Sequence, residues 1–247
     1  MSQARISEGI TIFIAVEGID GSGKTTQTKQ LGLHLKEEGY SVATIKFPCY
    51  DETFFGGAIA DYLNGKFGDL KTVPVQMAAM LFAGDRYEKR SELLELLQAN
   101  DLVITDRYTA SNMAYQAAKV PAAHRNEMLE WICRLEYEVY ELPRPDINVF
   151  LDLPVDYANR LVRARGKHSY SDQVEDLHES DLTYLGDCRS VYQSLAAGSQ
   201  GDGTWITVSC ADQMNKIRDP IDIAGEIAHE LNPLLIKTGS GGCHGQD

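Results

Sequence analysis

Short apolar runs alternate with longer amphipathic stretches along the chain, and this alternation predicts its elements. Thr11–Val16 (TIFIAV) is a strand of β-branched and aromatic residues running into a glycine-rich turn. Lys24–Glu38 carries Leu31, His34 and Leu35 at helical spacing and stops at Gly39. Ser41–Lys46 reads as a second strand, closed by Phe47-Pro48. Pro74–Gln98 predicts one long helix, with apolar faces formed by Met77, Met80 and Leu81 and then by Leu93, Leu94 and Leu97. Leu102–Thr105 and Ile147–Leu151 are the third and fourth strands, with helical sequence from Asn126 to Tyr140 between them. Helical spacing returns at Val155–Arg165 and Asp181–Ala196; Thr204–Val208 is the fifth strand and Pro220–Leu231 the last helix. Strands separated by helices argue for an α/β fold, a five-stranded parallel sheet flanked by helices on both faces. No repeat or Pro/Ser-rich linker divides the chain, so residues 1–236 are expected to form a single domain. The polar stretch at about 166–179 is expected to be mobile, and the Gly-rich tail 237–247 disordered.

Charge narrows the partners. With 23 Lys+Arg against 36 Asp+Glu the net charge is −13, a surface that repels a phosphate backbone and argues against nucleic acid. A polyanionic ligand must therefore be held by local cations and backbone N–H groups. No run approaches the roughly eighteen apolar residues of a membrane span, and Glu17 and Gly18 cut the first apolar stretch too short for a signal peptide. The five Cys (49, 133, 188, 210, 243) show no CxxC and no paired His spacing, which fits a reducing, cytoplasmic setting.

Gly18-Ile19-Asp20-Gly21-Ser22-Gly23-Lys24-Thr25 matches the phosphate-binding pattern G-x-x-x-x-G-K-[ST], between a strand and a helix. The glycines let successive N–H groups curl around a phosphate at a helix N-terminus. Lys24 adds charge for the β- and γ-phosphates, and the Thr25 hydroxyl is suited to Mg²⁺. This predicts ATP-type binding by Gly18, Gly21, Ser22, Gly23, Lys24, Thr25 and Thr26. A guanine reader would need Asn-Lys-x-Asp, and Asn215-Lys216-Ile217-Arg218 lacks the carboxylate.

The phosphate loop is accompanied by Phe47-Pro48, by L-F-A-G-D-R-Y-E at 81–88 and by D-R-Y-T-A-S-N-M-A-Y-Q-A-A-K at 106–119. In this order and spacing the chain resembles the thymidylate (dTMP) kinase family from Ile10 to Leu231. The resemblance implies phosphoryl transfer from ATP, with Mg²⁺, to dTMP, giving dTDP. It also implies strand order 2-3-1-4-5 and a cytoplasmic homodimer, for which the faces around Met77–Met80 and Trp131–Tyr140 are candidates.

It assigns Phe82 to stacking on thymine and Arg86 to O4; the two share a helix face. Arg107 would hold the acceptor phosphate and act in catalysis, with Asp106 as the strand-end carboxylate near Mg²⁺. Asn112 and Gln116 would reach the base and Tyr115 would pack against C2′. Ser111, Phe47 and Pro48 complete that site, and Asp20, counted with the ATP-binding residues as well, would lie near the acceptor 3′-hydroxyl and the metal.

Members of the family place an Arg inside the phosphate loop or basic residues in the lid. Gly21 occupies the loop position here, so Arg165 and Lys167 are expected at the transferring phosphate, with Arg160 or Arg163 near adenine or the β-phosphate. His178 and Glu179 are expected to help fix a closed lid. A cation that many members carry soon after Phe-Pro is replaced by Cys49-Tyr50. Two other readings stand beside this one. One is a kinase for another pyrimidine nucleotide or deoxynucleoside, such as dUMP; the other is a catalytically weak nucleotide-binding protein of the same fold.

Overall fold

The structure is a computed structural model. It describes residues 11–165 except 71, then 176–179, 181–198, 203–214 and 216–239, with Arg165 and residues 236–239 described by backbone alone. The strands β1 (Ile12–Glu17), β2 (Val42–Lys46), β3 (Leu102–Asp106), β4 (Ile147–Asp152) and β5 (Thr204–Ser209) are all parallel, in the order β2-β3-β1-β4-β5. Each strand ends within a residue of its predicted limits.

All six residues of β1 are buried, as expected for a central strand covered on both faces. Ile12, Ile14 and Val16 face a core with Leu31 and Leu35 of helix α1 (Lys24–Glu37). The same core includes Met113 of α5 (Thr109–Ala117), Leu185 of α8 (Leu182–Ala196) and Ile227 of α9 (Pro220–Gly239). Phe13 and Ala15, on the opposite face, pack with Phe47, Leu93 and Tyr108. The edge strand β5 buries only Ile206 and Val208, which explains its weaker apolar pattern.

Several helical regions depart from expectation, among them α5, which the spacing did not predict. The long helix of 74–98 breaks at Lys89 into α3 (Val75–Glu88) and α4 (Arg90–Ala99). Lys89 leaves helical geometry with φ −91° and ψ 3°, and its ammonium binds Glu52 at 2.6 Å and Glu92 at 2.7 Å. The break lets Arg86 on α3 and Leu93 on α4 both be buried, against different neighbours. The stretch after Phe47-Pro48 contains a helix the pattern did not predict, α2 (Phe54–Leu63), where the Thr53 hydroxyl accepts the Gly56 N–H at 2.8 Å. The helix expected over 126–140 is α6 (Arg125–Cys133) followed by a π-helical turn, Arg134–Val139, which carries Glu136 into the interior. At the chain end α9 continues through Pro233 to Gly239, eight residues past the predicted Leu231 and into the first part of the expected tail.

Candidate active site

Parallel sheets present their ligand sites at the carboxyl ends of the strands. Here Val16 lies opposite Asp106, which sets the loop after β1 beside the residues after β3. The Arg107 N–H donates to the Val16 carbonyl at 3.0 Å. Arg107 itself is left-handed (φ 69°), a conformation rarely adopted by a side-chain-bearing residue and concentrated at functional sites.

The loop Gly18–Gly23 folds tightly onto α7 (Val155–Arg165). Gly21 has φ +82°, and a Cβ there would come within 2.4 Å of the Ala158 carbonyl. With this backbone an arginine here would be strained in conformation and would press on the Ala158 carbonyl. Gly21, Gly23, Lys24, Thr25, Thr26 and Asp106 line a cleft of about 340 Å³, bordered by Lys46 and by Leu161 and Val162 of α7. Gly18 and Ser22 are buried behind it, and the Ser22 hydroxyl has no partner among the described residues. The Lys24 ammonium is buried and donates to the Ile19 carbonyl at 2.8 Å. Burial first, then the neighbouring Arg107, lower its pKa to about 8 despite Asp20 and Asp106. The Thr25 hydroxyl donates to Asp106 Oδ2 at 2.5 Å. Arg160 is exposed, its guanidinium 5.3 Å from the Tyr157 ring centre, and does not line the cleft. Lys167 and the Arg165 side chain lie outside the described residues, as do 166–175 of the expected lid.

Beside the cleft is a second cavity of about 50 Å³, and all ten expected acceptor residues line it. At one end Asp20 and Arg107 form a close ion pair. Burial alone would raise the Asp20 pKa, but Arg107 and then Lys24 outweigh it and hold the carboxylate well below its usual range. The Tyr115 hydroxyl donates to Asp20 Oδ2 at 2.6 Å and accepts the Asp20 N–H at 2.9 Å. Arg107 also donates to Ser111 Oγ at 3.2 Å. Ser111 passes this network to Glu17, 2.6 Å away, which accepts as well from the Tyr108 N–H at 2.8 Å. Glu17 is fully buried, and burial raises its pKa against these hydrogen bonds. Phe47 and Pro48, joined by a cis peptide bond, form one wall.

The other end is built around Glu136. Its carboxylate accepts from Arg86 at 2.6 and 2.5 Å, from Asn112 at 2.7 Å and from Thr109 at 2.9 Å. Asn112 gives its second amide hydrogen to the Ala79 carbonyl at 3.1 Å, so its Oδ1 is the atom left over. That oxygen is buried without a partner among the described residues, and so is Gln116 Nε2. Phe82 lies nearby with its ring 6.0 Å from His178 and nearly parallel to it, at 24°. His178 also stands 5.1 Å from the Tyr115 ring. Tyr50, which stands near where many members carry a cation, lines the cavity too, as do Leu63 and Asp176, which were not singled out by sequence. Nor were Glu17 and Glu136. Glu17 had a signal, as a carboxylate inside an apolar strand run; Glu136 had none, because its spacing is that of an ordinary helix.

Together, this phosphate loop at the end of the first parallel strand and the sheet order around it define a P-loop nucleotide-binding protein. A family model described as thymidylate kinase matches residues 16–221. The thymidylate kinase of Mycobacterium tuberculosis is 35% identical over 197 residues, covering 80% of this chain and 91% of that one. A probable thymidylate kinase of Pyrococcus abyssi is 38% identical over 176 residues, 70% of this chain and 80% of its own. The solved thymidylate kinase of Candida albicans shares the fold, with a TM-score of 0.70, 22% identity and 94% of each chain covered. The chain belongs to the thymidylate kinase family.

Proposed function

We propose that the protein transfers the γ-phosphoryl group of ATP to the 5′-phosphate of dTMP, giving dTDP and ADP. One observation carries the choice of acceptor. The cavity beside the phosphate loop holds a buried unpartnered acceptor, Asn112 Oδ1, and a buried unpartnered donor, Gln116 Nε2. An imide edge, N3–H next to a carbonyl, satisfies both. Cytosine offers no N3–H and would leave two acceptors opposed, a mismatch costing about 1–3 kcal/mol.

Phe82 stacks on the base and Arg86 donates to O4, its Nε and Nη2 being already held by Glu136. Arg107 binds the acceptor phosphate, whose oxygen is anionic at neutral pH and needs no strong base. That phosphate oxygen forms its bond to the γ-phosphorus as the bond to the β–γ bridging oxygen breaks, and the electron pair leaves with ADP. Catalysis is then positioning and charge neutralisation by Lys24, Arg107 and, from the lid, Arg165 and Lys167. Tyr115, tied to Asp20, packs where a ribose 2′-hydroxyl would stand.

The hard oxygens of Thr25 and Asp106, 2.5 Å apart at the cleft mouth, suit Mg²⁺, with Asp20 near. When bound, the ion neutralises the β- and γ-phosphate oxygens. The free volume of about 50 Å³ holds only a few waters, so nucleotide binding must part the rings of Phe82, Tyr115 and His178.

The reading takes residues 1–236 as one domain, in the cytoplasm, as a homodimer. Met77, Tyr87 and Val139, exposed by 54%, 51% and 61%, are apolar side chains available to that contact. Sedimentation velocity should give twice the chain mass, and Val139→Glu should shift it towards one.

The acceptor is tested by initial rates of ADP release with Mg·ATP and each monophosphate in turn. Turnover should be greatest on dTMP. Because the 5-methyl adds only about 1–3 kcal/mol, dUMP should be slower yet measurable. AMP, GMP and dCMP should give none. Equal rates on dCMP would overturn the base assignment, and no acceptor-dependent rate would overturn the enzyme.

A further inference from the structure

Gln116 recognises a base carbonyl only while its carboxamide faces the right way, and a primary amide can turn over at little intrinsic cost. Its orientation is fixed by one neighbour. Lys119, one turn away at the end of α5, donates to Gln116 Oε1 at 2.7 Å, which leaves Nε2 as the orphan atom at the cavity. The same ammonium donates to the Tyr62 hydroxyl at 2.6 Å and lies 3.4 Å from His178 Nε2. An ammonium has three hydrogens and no lone pair, so it can only donate. While it is charged, His178 Nε2, 3.4 Å away, can only accept from it.

We propose that Lys119 is a positioning residue for the acceptor base: its charge locks the Gln116 carboxamide with the N–H outward, so that the pocket offers a donor to a carbonyl of the base. This rests on the acceptor reading given above. It makes Lys119 the counterpart of Glu136, which holds the Asn112 amide with the oxygen outward.

The lock titrates. Among the described residues the groups facing the ammonium are Tyr62 from α2, Tyr184 and Cys188 from α8, and Asp176 and His178 from the turn. None of these is a close carboxylate partner, and burial lowers the Lys119 pKa to about 7, against weaker opposing effects of Cys188 and Asp176. Above that pH the neutral amine can accept as well as donate, and the Gln116 amide is free to turn.

The test is dTMP binding by calorimetry without ATP, from pH 6 to 8.5, for wild type, Lys119→Arg, Lys119→Met, Gln116→Ala and the Lys119→Met/Gln116→Ala double variant. Lys119→Met should weaken binding at pH 6 by about tenfold, the worth of one buried hydrogen bond. The ratio of wild-type to Lys119→Arg affinity should fall as pH rises through 7 to 8, since the guanidinium keeps its charge; the phosphate of dTMP titrates alike in both. In the Gln116→Ala background Lys119→Met should add less than about twofold. An equal Lys119→Met loss in both backgrounds, or a pH-independent ratio, overturns the proposal and leaves the acceptor reading intact. Failure of the wild type to bind dTMP overturns both. If Lys119→Met does not fold, the pH-dependent ratio against Lys119→Arg decides alone.

Discussion

Buried and half-buried charges set the site at the scale of single residues. Glu136 joins Arg86, Asn112 and Thr109 through four hydrogen bonds, all inside the protein. Removing one member of a buried pair is more damaging than the pair is stabilising, because the other charge stays desolvated. Glu136→Ala should therefore lower stability by about 3–5 kcal/mol, which thermal melting would register as roughly 2–4 °C per kcal/mol for a chain of this size. Glu136→Gln keeps the volume and one acceptor oxygen but sets an N–H donor against groups that donate to the other, so it too should lower stability. Arg107→Ala should lower kcat/KM for dTMP by about two to three orders of magnitude, as expected for loss of a positioned charge in a dry site. Lys24 gives a pH signature. With its pKa lowered to about 8, it is charged below that value and loses its proton as pH rises through it. ATP requires the charged form, so ATP binding near pH 9 should take up a proton. Calorimetry in two buffers of different ionisation enthalpy would detect that uptake, and identical heats would contradict it.

At the scale of elements, what the sequence made readable were segments governed by local rules. Every strand is apolar and bounded by turn residues, and the phosphate loop has fixed glycines. What it hid were elements governed by tertiary contacts. The break at Lys89 leaves the apolar spacing of α3 and α4 unchanged, so 74–98 reads as one helix. The π-helical turn at Arg134–Val139 adds one residue per turn, which no 3.6-residue pattern shows, yet it brings in Glu136. Helix α2 went unread because Gly56, Gly57 and Phe55 blur its amphipathic face, although its Thr53 cap was visible. The residues proposed for the acceptor stand out only as family blocks; no periodicity distinguishes Asn112 or Gln116 from core. Gly21 is a point where element packing meets chemistry. Gly21→Ala would need a left-handed alanine, disfavoured by about 1–2 kcal/mol, and would press on the Ala158 carbonyl 2.4 Å away. It should displace α7 and raise KM for ATP more than KM for dTMP in steady-state kinetics.

For the whole molecule, the order β2-β3-β1-β4-β5 brings the phosphate loop and Arg107 to neighbouring strand ends. One ion pair, Asp20 with Arg107, lines both the cleft proposed for the donor and the cavity proposed for the acceptor. This layout makes group transfer between two bound nucleotides the central claim, as distinct from ATP hydrolysis or simple binding. The most direct test follows the phosphoryl group itself, with γ-³²P-labelled ATP, Mg²⁺ and dTMP, resolving the products by chromatography. The label should appear in the β-phosphate of dTDP, matched mole for mole by ADP, with little inorganic phosphate. Label released as inorganic phosphate, or retained in ATP while dTMP stays unchanged, would contradict the account.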